Sequence, residues 1–315
     1  MRDYRLVDYL TQGYLLVIAL LVLFLHGEGI PAWPAYVVGH VVVIALVHGI
    51  IRFGSRRTRG FLHILRCFYP IILYTFLYSE THDLDSMIYP SYLDPVFIHL
   101  EQVLFGGQPS RDLMRNFPSL AISELLHFAY FSYYWMVLGV AVWMYLRRRE
   151  RYFHYVSVLS LVFYACYLTY IFLPVMGPHG NWVATAPPAV HELLGDRCVP
   201  PALTRGPFFH VMQFVYHFVE PTGGAAFPSS HVAIALVTLA FTFGYLHKLW
   251  WVHLVMVLLL CISTVYCGYH YAVDVMAGVA TAAVLGPAAH MLCRRLGECP
   301  PLRWEPSGRD EPTPD

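Results

Sequence analysis

Apolar runs of about twenty residues recur along the whole chain, and this is the length an α-helix needs to cross the hydrocarbon core of a bilayer. Lipid offers the backbone no hydrogen-bond partner, so runs of this kind form helices. The composition agrees, because 57% of the residues are hydrophobic and 13% are charged, about half the charged share of a soluble domain. The sequence therefore predicts an all-α, polytopic membrane helix bundle and excludes a soluble globular core.

Eight of these runs are predicted to span the membrane. They cover residues 9–26, 35–53, 61–79, 122–146, 153–175, 230–246, 249–267 and 271–292. The first run is expected to be retained rather than cleaved as a signal peptide, because no small-residue cleavage pattern follows it and further spans do. Residues 1–295 are interpreted as one integral-membrane domain, and the proline- and charge-rich residues 296–315 as a disordered cytoplasmic tail.

Basic residues predict the orientation of these spans. With eight spans, the basic clusters near span ends all fall on one side: Arg2, Arg5, Arg52, Arg56, Arg57, Arg59, Arg147, Arg148, Arg149, Arg151, Lys248, Arg294 and Arg295. Basic residues next to spans stay on the cytoplasmic side, so both termini are predicted to be cytoplasmic. The opposite side, which faces the periplasm, the cell exterior or an organelle lumen, then carries the longer connections 80–120 and 176–229.

Two short motifs on that opposite side carry residues that can do chemistry. Residues 228–231, Pro-Ser-Ser-His, open the sixth predicted span, and residues 263–274 join the seventh to the eighth. Because the intervening spans cross the membrane and return, His231 and His270 come back to the same face. Asp274 follows His270 by four residues, a spacing that places the two side chains together on a helix. Two histidines and a carboxylate supply a nucleophile and an acid–base pair.

This pair of motifs resembles that of the type-2 phosphatidic acid phosphatase superfamily, in which Pro-Ser-Gly-His is followed by Ser-Arg, five residues, His, three residues and Asp. Residues 228–231 keep three of the four positions of the first pattern. Residues 263–274 keep the spacing of the second pattern but carry Thr264 in place of the arginine. A further superfamily motif, Lys, six residues and Arg-Pro, is absent, and the only lysine, Lys248, falls on the opposite side.

Within the superfamily the chain is most similar to the inositol phosphorylceramide synthase (aureobasidin-target) branch. This similarity rests on Ala-Phe-Pro-Ser-x-His at residues 226–231, Tyr-x-x-x-His-Tyr-x-x-Asp at residues 266–274, Leu93-Asp94, and Leu-Phe-Gly…Pro-Ser at residues 104–110.

The resemblance implies a membrane phosphatase or phosphotransferase that acts on lipid-linked phosphate esters through a covalent phosphohistidine, which would make residues 1–295 a catalytic domain. His270 would be the nucleophile, Asp274 would hold its other ring nitrogen, and His231 would protonate the leaving alkoxide and then activate water or an acceptor alcohol. Hydrolysis and head-group transfer to an acceptor such as ceramide both remain open, although the synthase-like segments favour transfer. A non-catalytic lipid-binding or transport protein is the alternative from another class.

The phosphate ligands must differ from those of the superfamily, because its lysine and arginine are missing here. Ser229 and Ser230, at the predicted start of a helix, are expected to offer hydroxyl and backbone N–H groups to phosphate oxygens. Further candidates on the same side are His179, Asn181, Arg111, Arg115 and Arg205.

Four residues within the predicted spans carry weaker expectations. Glu124 and His127 lie in the outer half of the fourth span and are expected to support the site or to face a cavity. Tyr130 is expected to serve packing rather than catalysis. Arg66 lies near the cytoplasmic end of the third span, so its side chain is expected to extend to the membrane surface.

Outside the spans, residues 95–105 predict a short interfacial helix, and residues 208–219 predict an amphipathic helix that serves as an anchor or as a lid. The 17 histidines include no His-x-x-x-His pair, so no metal and no other cofactor is expected. A net charge of zero gives no sign of nucleic-acid binding. The predicted partners are membrane lipid and a phospholipid or other lipid-linked phosphate substrate, and the sequence predicts no particular protein partner.

Overall fold

A computed structural model of the chain describes residues 3–178, 203–219 and 224–298. These residues form eleven α-helices, and their only β contact is one backbone bridge between Val175 and Ala225. The helices are α1 (Leu6–Leu25), α2 (Trp33–Gly54), α3 (Phe61–Leu84), α4 (Asp94–Phe105), α5 (Pro109–Asn116), α6 (Leu120–Arg147), α7 (Arg149–Phe172), α8 (Pro207–Val219), α9 (Ser230–Tyr245), α10 (Trp250–Tyr266) and α11 (Ala272–Arg295). The predicted all-α membrane bundle is confirmed.

Six of the described helices, α1, α2, α3, α6, α7 and α11, are long and apolar enough to cross a membrane. The chain is therefore a multi-pass membrane protein. Helices α9 and α10 are also apolar but have 16 and 17 residues, so each is about 25 Å long where the hydrocarbon core is about 30 Å thick. The count of eight spans stays a prediction.

Helix α7 lies at the centre of the bundle, where it packs on α1, α3, α6, α9 and α11. Beyond its first turn its residues are buried on every side, as expected for a helix surrounded by other helices. Its tyrosine hydroxyls reach neighbouring helices: Tyr167 donates to the carbonyl of Tyr74 at 3.1 Å, and Tyr170 donates to the carbonyl of Pro228 at 3.0 Å. A buried hydroxyl without a partner costs free energy, so these bonds fix α7 against α3 and the start of α9.

A buried ion pair joins α1 to α3 at one end of the bundle. The Arg66 guanidinium donates to the Asp8 carboxylate, and both side chains are almost fully buried. Tyr69 donates to the second Asp8 oxygen. The expectation that Arg66 reaches the surface was therefore wrong. Helix α1 begins three residues before the predicted span and so includes Asp8. Arg66 can therefore be buried, because a buried charge with a hydrogen-bonded counter-ion is far less costly than one alone.

The two ends of the described chain meet at this same end of the bundle. The Leu6 N–H, at the start of α1, donates to the Glu298 carboxylate at 2.8 Å. Arg52, at the end of α2, lies 3.8 Å from Asp3. Residues 296–298 are thus described, and Glu298 contacts α1. The division into a domain of 1–295 and a disordered tail stays a prediction.

The opposite end of the bundle is covered by short helices. There α3 and α7 end and α6, α9 and α11 begin. Helix α4 packs on α11, α5 on α10, and α8 on α6. The predicted short helices at residues 95–105 and 208–219 are present as α4 and α8, and they enclose the region that holds both sequence motifs.

Candidate active site

His270 lies in the turn between α10 and α11, just outside both helices. Its Nδ1 is 2.9 Å from the carbonyl oxygen of Ala226. A carbonyl oxygen can only accept, so Nδ1 carries the hydrogen and Nε2 of the neutral ring keeps its lone pair. Burial lowers the pKa of His270 to about 4, which keeps the ring neutral at pH 7. The Nε2 atom is therefore a competent nucleophile.

Asp274 is the third residue of α11 and has two partners. Its Oδ2 accepts a hydrogen bond from the Tyr271 N–H at 2.8 Å, which caps the helix, and lies 3.5 Å from Nδ1 of His270. The second distance is longer than a good hydrogen bond, so the Ala226 carbonyl is the main partner of Nδ1. The Asp274 carboxylate therefore caps α11 and stands beside His270 as a second, more distant partner. Sequence reasoning missed Ala226, because a backbone carbonyl has no signature in the residue type.

His231 lies in the first turn of α9, and its ring centroid is 5.8 Å from that of His270. Both rings are buried. The Tyr130 hydroxyl oxygen is 3.3 Å from each nitrogen of His231, and the Tyr133 ring centroid is 4.6 Å from the His231 ring. The two imidazoles are close enough to act on one phosphoryl group, and Tyr130 is placed to hydrogen bond to His231 in addition to its packing.

The rings of Tyr130, Tyr216 and Tyr269 pack together beside His231 and form what we call the aromatic wall. The Tyr216 ring, from α8, stacks on the Tyr269 ring with centroids 4.3 Å apart, and its hydroxyl lies 2.8 Å from that of Tyr130. The Tyr130 and Tyr269 ring centroids are 4.5 Å apart. Helix α8, predicted as an anchor or a lid, thus contributes a side chain to the surroundings of His231.

Ser229 and Ser230 begin α9, and most of their polar groups are already engaged. The Ser229 hydroxyl accepts from the Val232 N–H at 3.4 Å, and the Ser229 N–H donates to the Asp274 carbonyl at 3.0 Å. The Ser230 N–H donates to the Tyr170 hydroxyl at 3.3 Å. Ser230 also lines a cavity. The role of both serines as phosphate ligands stays a prediction.

Comparison with known families identifies the segment that carries both motifs. The family model described as the PAP2 superfamily matches residues 104–287, more than half of the chain. The chain belongs to the PAP2 superfamily. The match runs from the end of α4 into α11 and contains His231, His270 and Asp274. No curated protein and no solved structure matches the chain. The predicted superfamily is confirmed, and the inositol phosphorylceramide synthase branch stays a prediction.

Asp94, which precedes the PAP2 match, organises the backbone beside the histidines. Its carboxylate accepts hydrogen bonds from the Met176 and Gly177 N–H groups, each at 2.9 Å, and from the Tyr271 hydroxyl at 3.0 Å. A Cβ on Gly177 would lie 2.7 Å from the carbonyl oxygen of Tyr269, so only glycine fits there. Burial raises the pKa of Asp94 to about 6. The sequence indicated Asp94 only through the branch resemblance, without a role.

Glu101 was not predicted as part of the site. Its carboxylate accepts from the Ala272 N–H at 2.5 Å, at the start of α11, and the side chain is fully buried. Burial raises the pKa of Glu101 to about 7. The sequence offered a signal, because an acid interrupts the apolar face of the predicted helix 95–105, but its partner is set by the packing of α4 on α11.

The expected phosphate ligands are only partly accounted for. His179 and Asn181 lie outside the described residues. Arg115, in the last turn of α5, and Arg205, just before α8, are exposed. In the part of the chain that the structure describes, no arginine or lysine forms a hydrogen bond or ion pair with the two motif histidines or Asp274. The roles of these four candidates stay predictions.

Glu124 and His127 lie beside the aromatic wall. Glu124 accepts from the Phe208 and Phe209 N–H groups at 2.8 and 3.1 Å, so it caps the start of α8 rather than facing a cavity. His127 packs its ring against Phe209 and Tyr269. Both residues therefore hold α8 in place over α6.

Metal chemistry has no evident ligand set in the described ranges. Among residues 3–178, 203–219 and 224–298, no group of three or more His, Cys, Asp or Glu residues is arranged to hold a metal ion. That the PAP2 chain works without a metal stays a prediction.

Proposed function

We propose that this PAP2 protein is a membrane phosphatase or phosphotransferase that acts on lipid-linked phosphate esters through a phosphohistidine at His270. One observation carries the proposal. The Ala226 carbonyl accepts a hydrogen bond from Nδ1 of His270, so the lone pair of Nε2 points away from this bond, and the second imidazole, His231, stands beside the first. A lipid-binding or transport protein has no need of this arrangement.

The reaction runs in two steps. In the first, Nε2 of His270 attacks phosphorus, the bond from phosphorus to the lipid oxygen breaks, and His231 gives a proton to the leaving alkoxide. In the second, water or an acceptor alcohol gives a proton to His231 as its oxygen attacks phosphorus, and the phosphorus–nitrogen bond breaks. The phosphorylated ring of His270 is cationic, and the Asp274 charge offsets it.

Transfer of a phospho-head group, as in inositol phosphorylceramide synthesis, is the finer form of the proposal, and the charge of the site supports it. Asp94 and Glu101 add buried carboxyl groups that bond to Tyr271 and Ala272, next to His270, and no described arginine or lysine forms a hydrogen bond or ion pair with either histidine. A phosphodiester carries one negative charge and a phosphomonoester close to two at pH 7. A diester lipid is therefore the less costly substrate. Hydrolysis of a lipid phosphate is the second candidate, because water needs no acceptor site.

The proposed orientation places both termini in the cytoplasm and the histidines on the periplasmic, extracellular or lumenal side. The support is that Arg52, Arg66 and the start of α1 share the end of the bundle opposite to His231 and His270, and basic residues favour the cytoplasmic side.

The test uses purified protein in lipid nanodiscs, supplied with phosphatidic acid, phosphatidylinositol and ceramide together. Free phosphate and lipid products are quantified by mass spectrometry, and covalently bound phosphoryl groups on peptides are sought after an alkaline quench. A new phospho-head-group lipid with released diacylglycerol identifies a transferase, and free phosphate alone identifies a phosphatase.

Three histidine variants make this test specific. His270→Asn is expected to abolish turnover and labelling, and His231→Asn to slow both formation and breakdown of the labelled protein. His99→Asn changes an exposed histidine of α4 and is the matched control, expected to behave as wild type. Turnover by His270→Asn at the wild-type rate would refute the phosphohistidine.

A further inference from the structure

A groove between α3 and α6, floored by α7, leads from the outer surface of the bundle to His231. It encloses a cavity of about 260 Å³. Thr75 of α3 and Leu138 of α6 are exposed at its mouth, whereas Ser230 and His231 form its buried inner end.

The groove follows from how three helices pack. Helices α3 and α6 each pack on α7, and these two fully described helices make little contact with each other. The α3 residues along the groove recur at a spacing of three and four, so they form one stripe about 10 Å long. Tyr74, in that stripe, is held by the Ser160 hydroxyl at 2.7 Å, which keeps the wall in place.

The side chains that line the groove indicate what kind of molecule binds in it. Among the described residues, the wall carries aliphatic and aromatic side chains and Thr75, and no Asp, Glu, Lys or Arg. Its mouth opens between α3 and α6, two helices long and apolar enough to span the membrane, so hydrocarbon rather than water lies outside it. Its inner end is the imidazole that the proposed reaction uses to move a proton to or from a lipid oxygen. A molecule that matches both ends has a long aliphatic chain and a terminal oxygen.

We infer that this groove binds the aliphatic chain of the lipid alcohol whose oxygen exchanges a proton with His231. The alcohol either leaves in the first step or enters as acceptor in the second, and its chain chemistry is the same in both cases. The inference rests on the proposed function for the role of His231, and on the geometry alone for the chain. Helix α3, which supplies one wall, lies outside the residues matched to the superfamily.

A kinetic experiment tests the groove with one blocking variant and one control. Thr75→Trp fills the mouth, whereas Ile72→Trp adds similar bulk to an exposed residue of α3 that does not line the groove. For Thr75→Trp, the ratio of kcat/KM on a long-chain to that on a short-chain substrate is expected to fall about tenfold, the equivalent of two buried methylene groups. The ratio for Ile72→Trp is expected to stay at the wild-type value.

Two arms separate the leaving alcohol from the acceptor. The first arm compares hydrolysis of long-chain and short-chain alkyl phosphates. The second supplies a short-chain phosphate donor and compares long-chain with short-chain alcohols as acceptors. A fall in the first arm assigns the groove to the leaving group, and a fall in the second assigns it to the acceptor. An active wild type with no fall for Thr75→Trp in either arm would overturn the inference.

A photolabelling experiment tests the groove without any turnover, so the failure of the proposed function is distinguishable from the failure of the inference. A long-chain alcohol with a diazirine on its chain is irradiated with the protein in nanodiscs, and labelled peptides are mapped. Label on groove residues of α3 and α6, reduced about tenfold in Thr75→Trp and retained in Ile72→Trp, is expected. Label spread evenly over α3 and the largely exposed α2 would refute the groove.

Discussion

The charge of Asp274 is the feature of the site whose effect can be calculated most directly. Asp274→Asn keeps a side-chain oxygen for the Tyr271 N–H, so the cap of α11 survives, while the negative charge 3.5 Å from Nδ1 of His270 is removed. The variant therefore isolates the electrostatic role of this residue from its structural role.

The size of the effect follows from the distance. Two unit charges 3.5 Å apart interact by about 5 kcal/mol at an effective dielectric constant of about 20. If about half of the positive charge has formed on the His270 ring in the transition state, the loss is about 2.4 kcal/mol, or a factor of about 50 in rate. Asp274→Asn is expected to slow formation of the phosphohistidine by that factor.

The assay is a rapid-quench measurement of phosphoryl transfer from a labelled lipid to the protein under single-turnover conditions. Asp112→Asn is the matched control, since the Asp112 carboxylate accepts from the Gln108 N–H at 3.1 Å at the start of α5 but does not contact the histidines. A loss of less than about fivefold for Asp274→Asn, with Asp112→Asn at the wild-type rate, would show that Asp274 only caps α11 and would refute the electrostatic argument.

Three further predictions concern the surroundings of the histidines. Burial raises the pKa of Glu101 from 4.5 to about 7. The protonated side chain therefore stabilises the fold below about pH 4.5, and this contribution is lost as the pH rises through about 7. The melting temperature of Glu101→Gln is expected to rise relative to that of the wild type as the pH is raised from about 5 to about 8. Tyr130→Phe removes a hydroxyl 3.3 Å from His231 and is expected to slow breakdown of the phosphohistidine about tenfold, measured by chasing labelled protein. Thr264→Arg is expected to raise the ratio of monoester to diester turnover, and Thr264→Gln, similar in bulk but neutral, is expected to leave that ratio unchanged.

The parts of the fold that the sequence predicts correctly depend on the length of the apolar runs and on the number of runs between the two motifs. The length of an apolar run reflects the thickness of the bilayer, so the long helices α1, α2, α3, α6, α7 and α11 could be placed. The two apolar runs between His231 and His270 are predicted to cross the membrane and return, so the proximity of these histidines could be predicted without a structure. The ends of helices were less predictable, because α1 begins at Leu6 and so gains Asp8, the counter-ion of Arg66.

The parts that the sequence did not predict depend on tertiary contacts between distant segments. Glu101 reaches the start of α11 only because α4 lies across it. The Ala226 carbonyl determines the tautomer of His270, yet any residue at position 226 carries a carbonyl. Tyr216 meets Tyr130 because Glu124 caps α8 over α6. In each case the contact joins residues that no spacing rule relates.

The relative position of the two histidines is held mainly by backbone groups. The Ser229 N–H donates to the Asp274 carbonyl at 3.0 Å, and the His270 N–H donates to the Thr264 carbonyl at 2.9 Å. Neither bond depends on the side chain at position 230 or 264, where the chain departs from the superfamily pattern. Those departures therefore leave His231 and His270 in place, and the one at Thr264 leaves the motif without its cation. We expect this to change the charge of the phosphate ester that is accepted rather than the proposed chemistry.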